Sequence, residues 1–259
     1  MLKKFKIFSK INELKFTDYW QSERAFGQNH YHGDEEMPTF SILRGNSAIL
    51  ICAPHTIKTQ KLATQRDIRI DENRSALKQK KYALNEVINK HQEKATGFMV
   101  SFLHKNIGTH GLVRNNYNDV NYKTKYDNTY LKRYLTKHPE IKFVIDLHGY
   151  IKTDKFDITC GTNNGLYLKS EANYQKLQNI MKQSFGKYGI KKIDFDFDLQ
   201  AKSKYCISKV VNEEFSVMSM QMEVNKKYRQ AKKNITEMKN FLKGMSEFII
   251  FLEKFLKGE

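Results

Sequence analysis

Three stretches of the sequence each carry an apolar run into a side chain that can bind a metal or move a proton. Ala48-Ile-Leu-Ile-Cys52 leads to Ala53-Pro54-His55, and Phe143-Val-Ile-Asp-Leu-His148 leads to Gly149. Val217-Met-Ser-Met-Gln-Met-Glu-Val-Asn225 alternates up to Glu223. Side chains two apart on a strand share a face, so Asp146 and His148 point the same way, as a ligating imidazole and its carboxylate partner do. Pro54 cannot donate to a ladder, so pairing stops there and His55 stands at a strand tip. On the last stretch Met218, Met220, Met222 and Val224 share one face, which leaves Glu223 on the polar face with Ser219, Gln221 and Asn225.

Taken alone, Asp146-Leu147-His148 fits a hydrogen-bonded core histidine as well as a metal ligand. The coincidence of three such strand ends favours the metal. Catalytic zinc commonly takes three protein ligands and leaves one position for water. Two histidines are in hand, the third ligand must be an acid, and Asp71-Glu72 is the acidic pair ahead of an expected helix. A further carboxylate is needed as general base, and Glu223 can fill that role.

The elements that must position these residues alternate between strands and helices, which points to an α/β sandwich. Thr39–Leu43 and Ala48–Cys52 read as two strands joined by a short turn at Gly45-Asn46, the second central in the sheet because its apolar run is continuous. Further strands are expected over 97–103, 143–148, 156–162, 193–198 and 217–225. Helices are expected from Ala76 to about His91, from Tyr130 to His138, from Ser170 to Tyr188 with Ser170 at its cap, and over the stripe from Ile235 to Phe255. His104 to Tyr126 lacks periodicity and reads as a long ordered loop, which makes Arg114, Asp119 and Asn121 site candidates. His30, His32 and Asp34 read as an exposed loop. The whole chain, 1–259, is expected to form one domain, with 1–36 peripheral and 231–257 a closing amphipathic helix.

Composition narrows the function classes. A charged content of 28% beside 40% hydrophobic residues excludes wholesale disorder. Cys52, Cys160 and Cys206 are scattered and odd in number, which argues against a disulfide framework and a cysteine zinc knuckle. The longest apolar run, Phe248-Ile-Ile-Phe-Leu252, is far too short to span a membrane, and charges interrupt the N-terminus, so a cytoplasmic protein is expected. The net charge of +17 is spread along the chain without a basic block, so it reads as diffuse bias and a nucleic-acid partner is not expected.

The set Ala53-Pro54-His55, Asp119-Val-Asn121, Asp146-Leu-His148-Gly149 and Glu223-Val-Asn225 with Tyr228-Arg229 resembles the N-formylglutamate amidohydrolase family of the zinc-dependent exopeptidase-like superfamily. The match in order and spacing runs from about residue 40 to 230. The resemblance implies a three-layer α/β/α sandwich with a mixed, mostly parallel sheet, and one Zn2+ per chain. It implies hydrolysis of an amide bond in a small N-acyl amino acid or acidic peptide, with no membrane partner. His55 and His148 would be zinc ligands and Glu223 the general base. Arg114 and Arg229 would hold a substrate carboxylate, Asn121 would add a hydrogen bond, and Asp146 and Asp119 would support from behind. The acid ligand departs from the carboxypeptidase pattern because position 58 is Lys; Glu72 is taken over Asp71 for its longer arm. The alternative is a member with a decayed site that binds a polyanion or nucleic acid.

Overall fold

The computed structural model describes residues 2–27, 35–36, 40–56, 59–62, 87–90, 92–114, 129–150, 155–203 and 206–259. Its strands are β1 (Glu35–Glu36), β2 (Phe40–Leu43), β3 (Ile49–Ala53), β4 (Thr59–Leu62), β5 (Val87–Lys90), β6 (His110–Arg114), β7 (Phe143–Tyr150), β8 (Ile158–Gly161), β9 (Ile193–Phe195) and β10 (Met218–Asn225). Its helices are α1 (Leu2–Glu13), α2 (Phe16–Gly27), α3 (Thr96–Ile107), α4 (Thr129–Lys137), α5 (Glu171–Gly186), α6 (Ile207–Phe215) and α7 (Ile235–Leu256). Eight strands form one mixed sheet in the order β1-β2-β6-β3-β7-β10-β8-β9, while β4 and β5 pair separately. Within the eight-stranded sheet the central strands β6, β3, β7 and β10 run parallel, and antiparallel pairing is confined to β1-β2, β2-β6 and β10-β8.

The sheet is covered on both faces, as the α/β sandwich reading requires. One face, with Ile49, Ile51, Ile145, Met220 and Met222, packs into the main core with α1, α3, α5 and α7. The other, with Leu50, Cys52 and Val144, packs against α4 and α6. This double cover explains the unbroken apolar run of β3, every residue of which is buried. In α7, Met238, Phe241, Leu242, Met245, Phe248, Ile249 and Leu252 are buried at helical spacing, so truncating Phe241 to Ala costs about 3–5 kcal/mol. Gly244 interrupts that stripe because the Phe185 ring lies where a Cβ would stand. Ser170 caps α5 as expected, its hydroxyl accepting from the Asn173 amide. Residues 1–36, expected to be peripheral, contribute α1, whose Ile7 and Ile11 are buried in the main core.

Several elements differ from the sequence reading. Thr96–Ile107 is a helix, where a strand was expected over 97–103. Its apolar residues fill a buried helix, and a short continuous apolar run does not distinguish that from a buried strand. The edge of the stretch read as a loop, His110–Arg114, is instead a fully buried strand. It lies between β2 and β3, so these two are not hairpin partners. Val87–Lys90, assigned to the end of a helix, is a strand paired with Thr59–Leu62; the rest of that expected helix lies outside the described residues.

Candidate metal centre

The carboxyl ends of β3, β7 and β10 meet at one edge of the sheet, the place where open α/β sheets gather ligands. His55 follows β3 in a tight turn that Thr56 closes by donating its hydroxyl to the Ala53 carbonyl at 3.0 Å. The ring is buried and lies 4.9 Å, centroid to centroid, from that of His148. His148 is presented by β7, on the same face as Asp146. The parallel register sets Glu223 of β10 directly beside His148, and Gln221 beside Asp146. Facing side chains of paired strands are nearest neighbours on one surface, so the two strands assemble a histidine and three polar partners without help from a loop.

The structure adds a residue the sequence reading missed. Glu93 precedes α3, and its backbone is held on both sides. Its N–H donates to the His55 carbonyl at 2.9 Å, and its own carbonyl accepts the Thr96 hydroxyl at 2.8 Å. The side chain then reaches His148, with Oε2 at 3.2 Å from Nδ1, and accepts the Gly149 amide at 3.0 Å. One ligand atom from each of His55, Glu93 and His148 lies within 4.8 Å of the other two. Reading 97–103 as a strand hid this residue. As a helix, the same run places Glu93 just ahead of the first turn, the role that the sequence alone suggests for Asp71-Glu72. Glu72 lies outside the described residues.

Electrostatics give the site its character. Burial acts to lower the His148 pKa, but the carboxylates of Asp146 and Glu93 outweigh it and hold the imidazole well above its ordinary value. Asp146 Oδ1 stands 3.0 Å from Nε2 while Glu93 flanks Nδ1, so both ring nitrogens face acceptors. A buried group of two carboxylates around one imidazole calls for positive charge. A zinc ion with bonds of ~2.0–2.1 Å sets tetrahedral ligand atoms about 3.3 Å apart, so the three side chains, whose ligand atoms lie within 4.8 Å of one another, would draw in around it. The N, N, O set therefore fits a divalent metal, with His55, Glu93 and His148 as holders and Asp146 orienting the ring of His148.

Behind this face the Cys206 thiol donates to Gln221 Oε1 at 3.2 Å, which turns the Gln221 amide nitrogen toward Glu223 Oε1 at 3.3 Å. Burial and the Asp146 charge push the Cys206 thiol up to about 12, so it stays a protonated donor. Arg114 is buried at the end of β6, one residue past the Val113–Ala53 pair, with its guanidinium over the Phe40 ring at 5.6 Å. Arg229, expected to hold a substrate carboxylate, is engaged by the backbone. Its guanidinium donates to the carbonyls of Val224 and Lys94, both at 3.0 Å, and of Tyr150 at 3.3 Å. It fills the space beside Gly149 where any Cβ would collide, which is why a glycine follows His148. Asp119 and Asn121 lie outside the described residues.

No protein-family profile matches the sequence, and no curated protein does either. Solved structures do share the architecture. The chain is similar to an N-formylglutamate amidohydrolase from Ralstonia eutropha JMP134, with TM-score 0.52 and 7% identity over 85% of this chain and 99% of that one. It is also similar to a bacteriophage poly-gamma-glutamate hydrolase, with TM-score 0.47 and 13% identity over 86% of this chain and 93% of that one. Among the described residues no helix is long and apolar enough to cross a membrane. The fold anticipated from the His55, Asp146-His148 and Glu223 motifs is thus the fold of N-formylglutamate amidohydrolase.

Proposed function

We propose that this protein is a zinc-dependent amidohydrolase that cleaves the amide bond of a small N-acyl amino acid of the formylglutamate kind, or of an acidic peptide. The observation that carries the reading is the convergence of His55, Glu93 and His148 at the sheet edge, with Glu223 in register beside His148. Zinc held there would supply an activated water and polarise the scissile carbonyl. Glu223 would serve as the general base that takes a proton and returns it to the departing nitrogen, with Gln221 donating to its carboxylate. Asp146 holds the ring orientation of His148. Arg114 is the cation for a substrate carboxylate, a task for which a planar guanidinium is suited, with Asn121 adding a hydrogen bond. Arg229 serves by bracing Gly149 and the end of β7. A site retaining two histidines, their carboxylate and the adjacent base argues against a decayed relative.

Metal titration of the purified protein tests this, followed by hydrolysis of N-formyl-L-glutamate. Glu93→Gln is expected to lower zinc affinity by at least about 10-fold, the lower bound for loss of a supporting carboxylate, whereas Glu72→Gln leaves it unchanged. An apoprotein that takes up no zinc overturns the reading. The reverse pattern in the two variants returns the third ligand to Glu72.

A further inference from the structure

Gln92 and Lys94, on either side of Glu93 in the chain, line a cavity of about 340 Å3 that shares Arg229 with the brace behind Gly149 but none of the metal-holding residues. Phe16, Tyr19 and Trp20 of α2 line it together with Lys94, Arg229, Lys232 and Lys233, and no Asp or Glu is among its described lining residues. Phe16 and Trp20 are one helical turn apart, and their rings are stacked at 6.2 Å with only 26° between planes. Tyr19 is buried and meets Phe98 of α3 edge-on at 5.6 Å, which anchors the aromatic side of α2 on the body of the protein. Trp20 is nevertheless 51% exposed, one of four large hydrophobic side chains exposed among the described residues.

The chemistry of these walls selects a guest. An indole left half in water beside a second stacked ring offers a flat face to another aromatic ring. Three exposed ammonium groups, with no carboxylate among the described lining residues, repel a cation and attract an anion. A bare anion makes no use of the rings, and an uncharged ring makes no use of the lysines. We propose that this cavity is a nucleotide site: a nucleobase stacks on Trp20 and Phe16 while its phosphate is held by Lys94, Lys232 and Lys233. The same chemistry is offered by a free mononucleotide and by a nucleotide within a single strand. The inference stands apart from the zinc reading, since it uses none of the metal-binding residues.

Trp20 is the only tryptophan in the chain, so its emission reports directly on the site. The intact protein is titrated with AMP, adenosine and inorganic phosphate at low and high salt. AMP is expected to quench saturably, with adenosine weaker by about tenfold and AMP affinity falling as salt rises. Inorganic phosphate is expected to leave the emission unchanged. The double variant Lys232→Glu/Lys233→Glu is expected to lose about tenfold or more in AMP affinity with an unchanged melting temperature, since both side chains are exposed. Absence of saturable quenching by millimolar AMP, equal quenching by adenosine, or an unaltered double variant each overturns the proposal. A short oligoadenylate that binds more tightly than AMP assigns the site to a strand; equal or weaker binding assigns it to free nucleotide.

Discussion

The two ends of the sheet each carry a pair of neighbouring, mutually tilted histidine rings, and they behave in opposite ways. At the carboxyl end His55 and His148 have ring centroids 4.9 Å apart; at the other, His110 and His138 are 5.3 Å apart. Burial is similar for His148 and His110. What differs is the kind of group each ring meets. His148 faces carboxylate oxygens at both nitrogens, so it draws in a proton or a cation. His110 Nδ1 accepts the Gly45 N–H at 3.2 Å, and with that nitrogen lacking a proton the Tyr134 hydroxyl must also donate to it, at 2.7 Å. Burial and the neighbouring His138 lower the His110 pKa against the opposing charge of Glu140. A histidine pair is therefore not a metal site by proximity. The partners decide, and donors close the ring nitrogen that acceptors leave open.

The sharpest way to break this contrast is to truncate one ring at each end. His148→Ala is expected to bring bound zinc from about one per chain to near zero, as a tridentate protein site loses a ligand. His110→Ala is expected to keep the metal and to lose about 1–3 kcal/mol of stability, because it removes the acceptor that the Gly45 and Tyr134 donors share. Metal analysis alongside chemical unfolding reads both; equal zinc in the two variants would remove the distinction. Next in size is Glu223→Gln, expected to slow hydrolysis by about 10²–10⁴-fold while zinc content and melting temperature stay unchanged. A loss of zinc in that variant would make Glu223 a ligand instead of a base. Asp146→Asn is expected to weaken zinc binding by about 10–100-fold, measured by competition with a chelator.

The smallest effect is a pH dependence at the structural end. The folded protein holds the His110 pKa below its ordinary 6.5, so below that value the unfolded chain binds the extra proton first. The contribution of His110 is complete above about pH 6.5 and is lost as pH falls through the lower folded pKa. His110→Asn keeps an acceptor near the position of Nδ1 but does not protonate. It is expected to flatten the fall in melting temperature below pH 6.5 relative to the wild type. Parallel pH curves for the two proteins would show that His110 is not the group responsible.

What the sequence determined by itself is local. The continuous run of β3, the alternation of β10 and the Ser170 cap are each set by burial and hydrogen-bonding rules that act over a few residues, and each was legible. So was the placement of His55, His148 and Glu223 at or near the carboxyl ends of strands, because an apolar run leading to a histidine or glutamate comes close to marking its own boundary. The nature of 97–103 was not legible, since a short apolar stretch satisfies a buried helix and a buried strand alike. Nor was the insertion of β6 between β2 and β3, which depends on pairings made far along the chain. Only the tertiary structure could bring in Glu93, 55 residues from the histidine it touches, because its place rests on a helix start docked against the His55 turn. Only the tertiary structure could turn Arg229 inward, where three backbone carbonyls compete for a guanidinium whose sequence context, after a strand ending in Glu223-Val-Asn225, reads equally well as facing a substrate. Residue type states what a side chain is able to bind; the groups that the fold sets around it decide what it does bind.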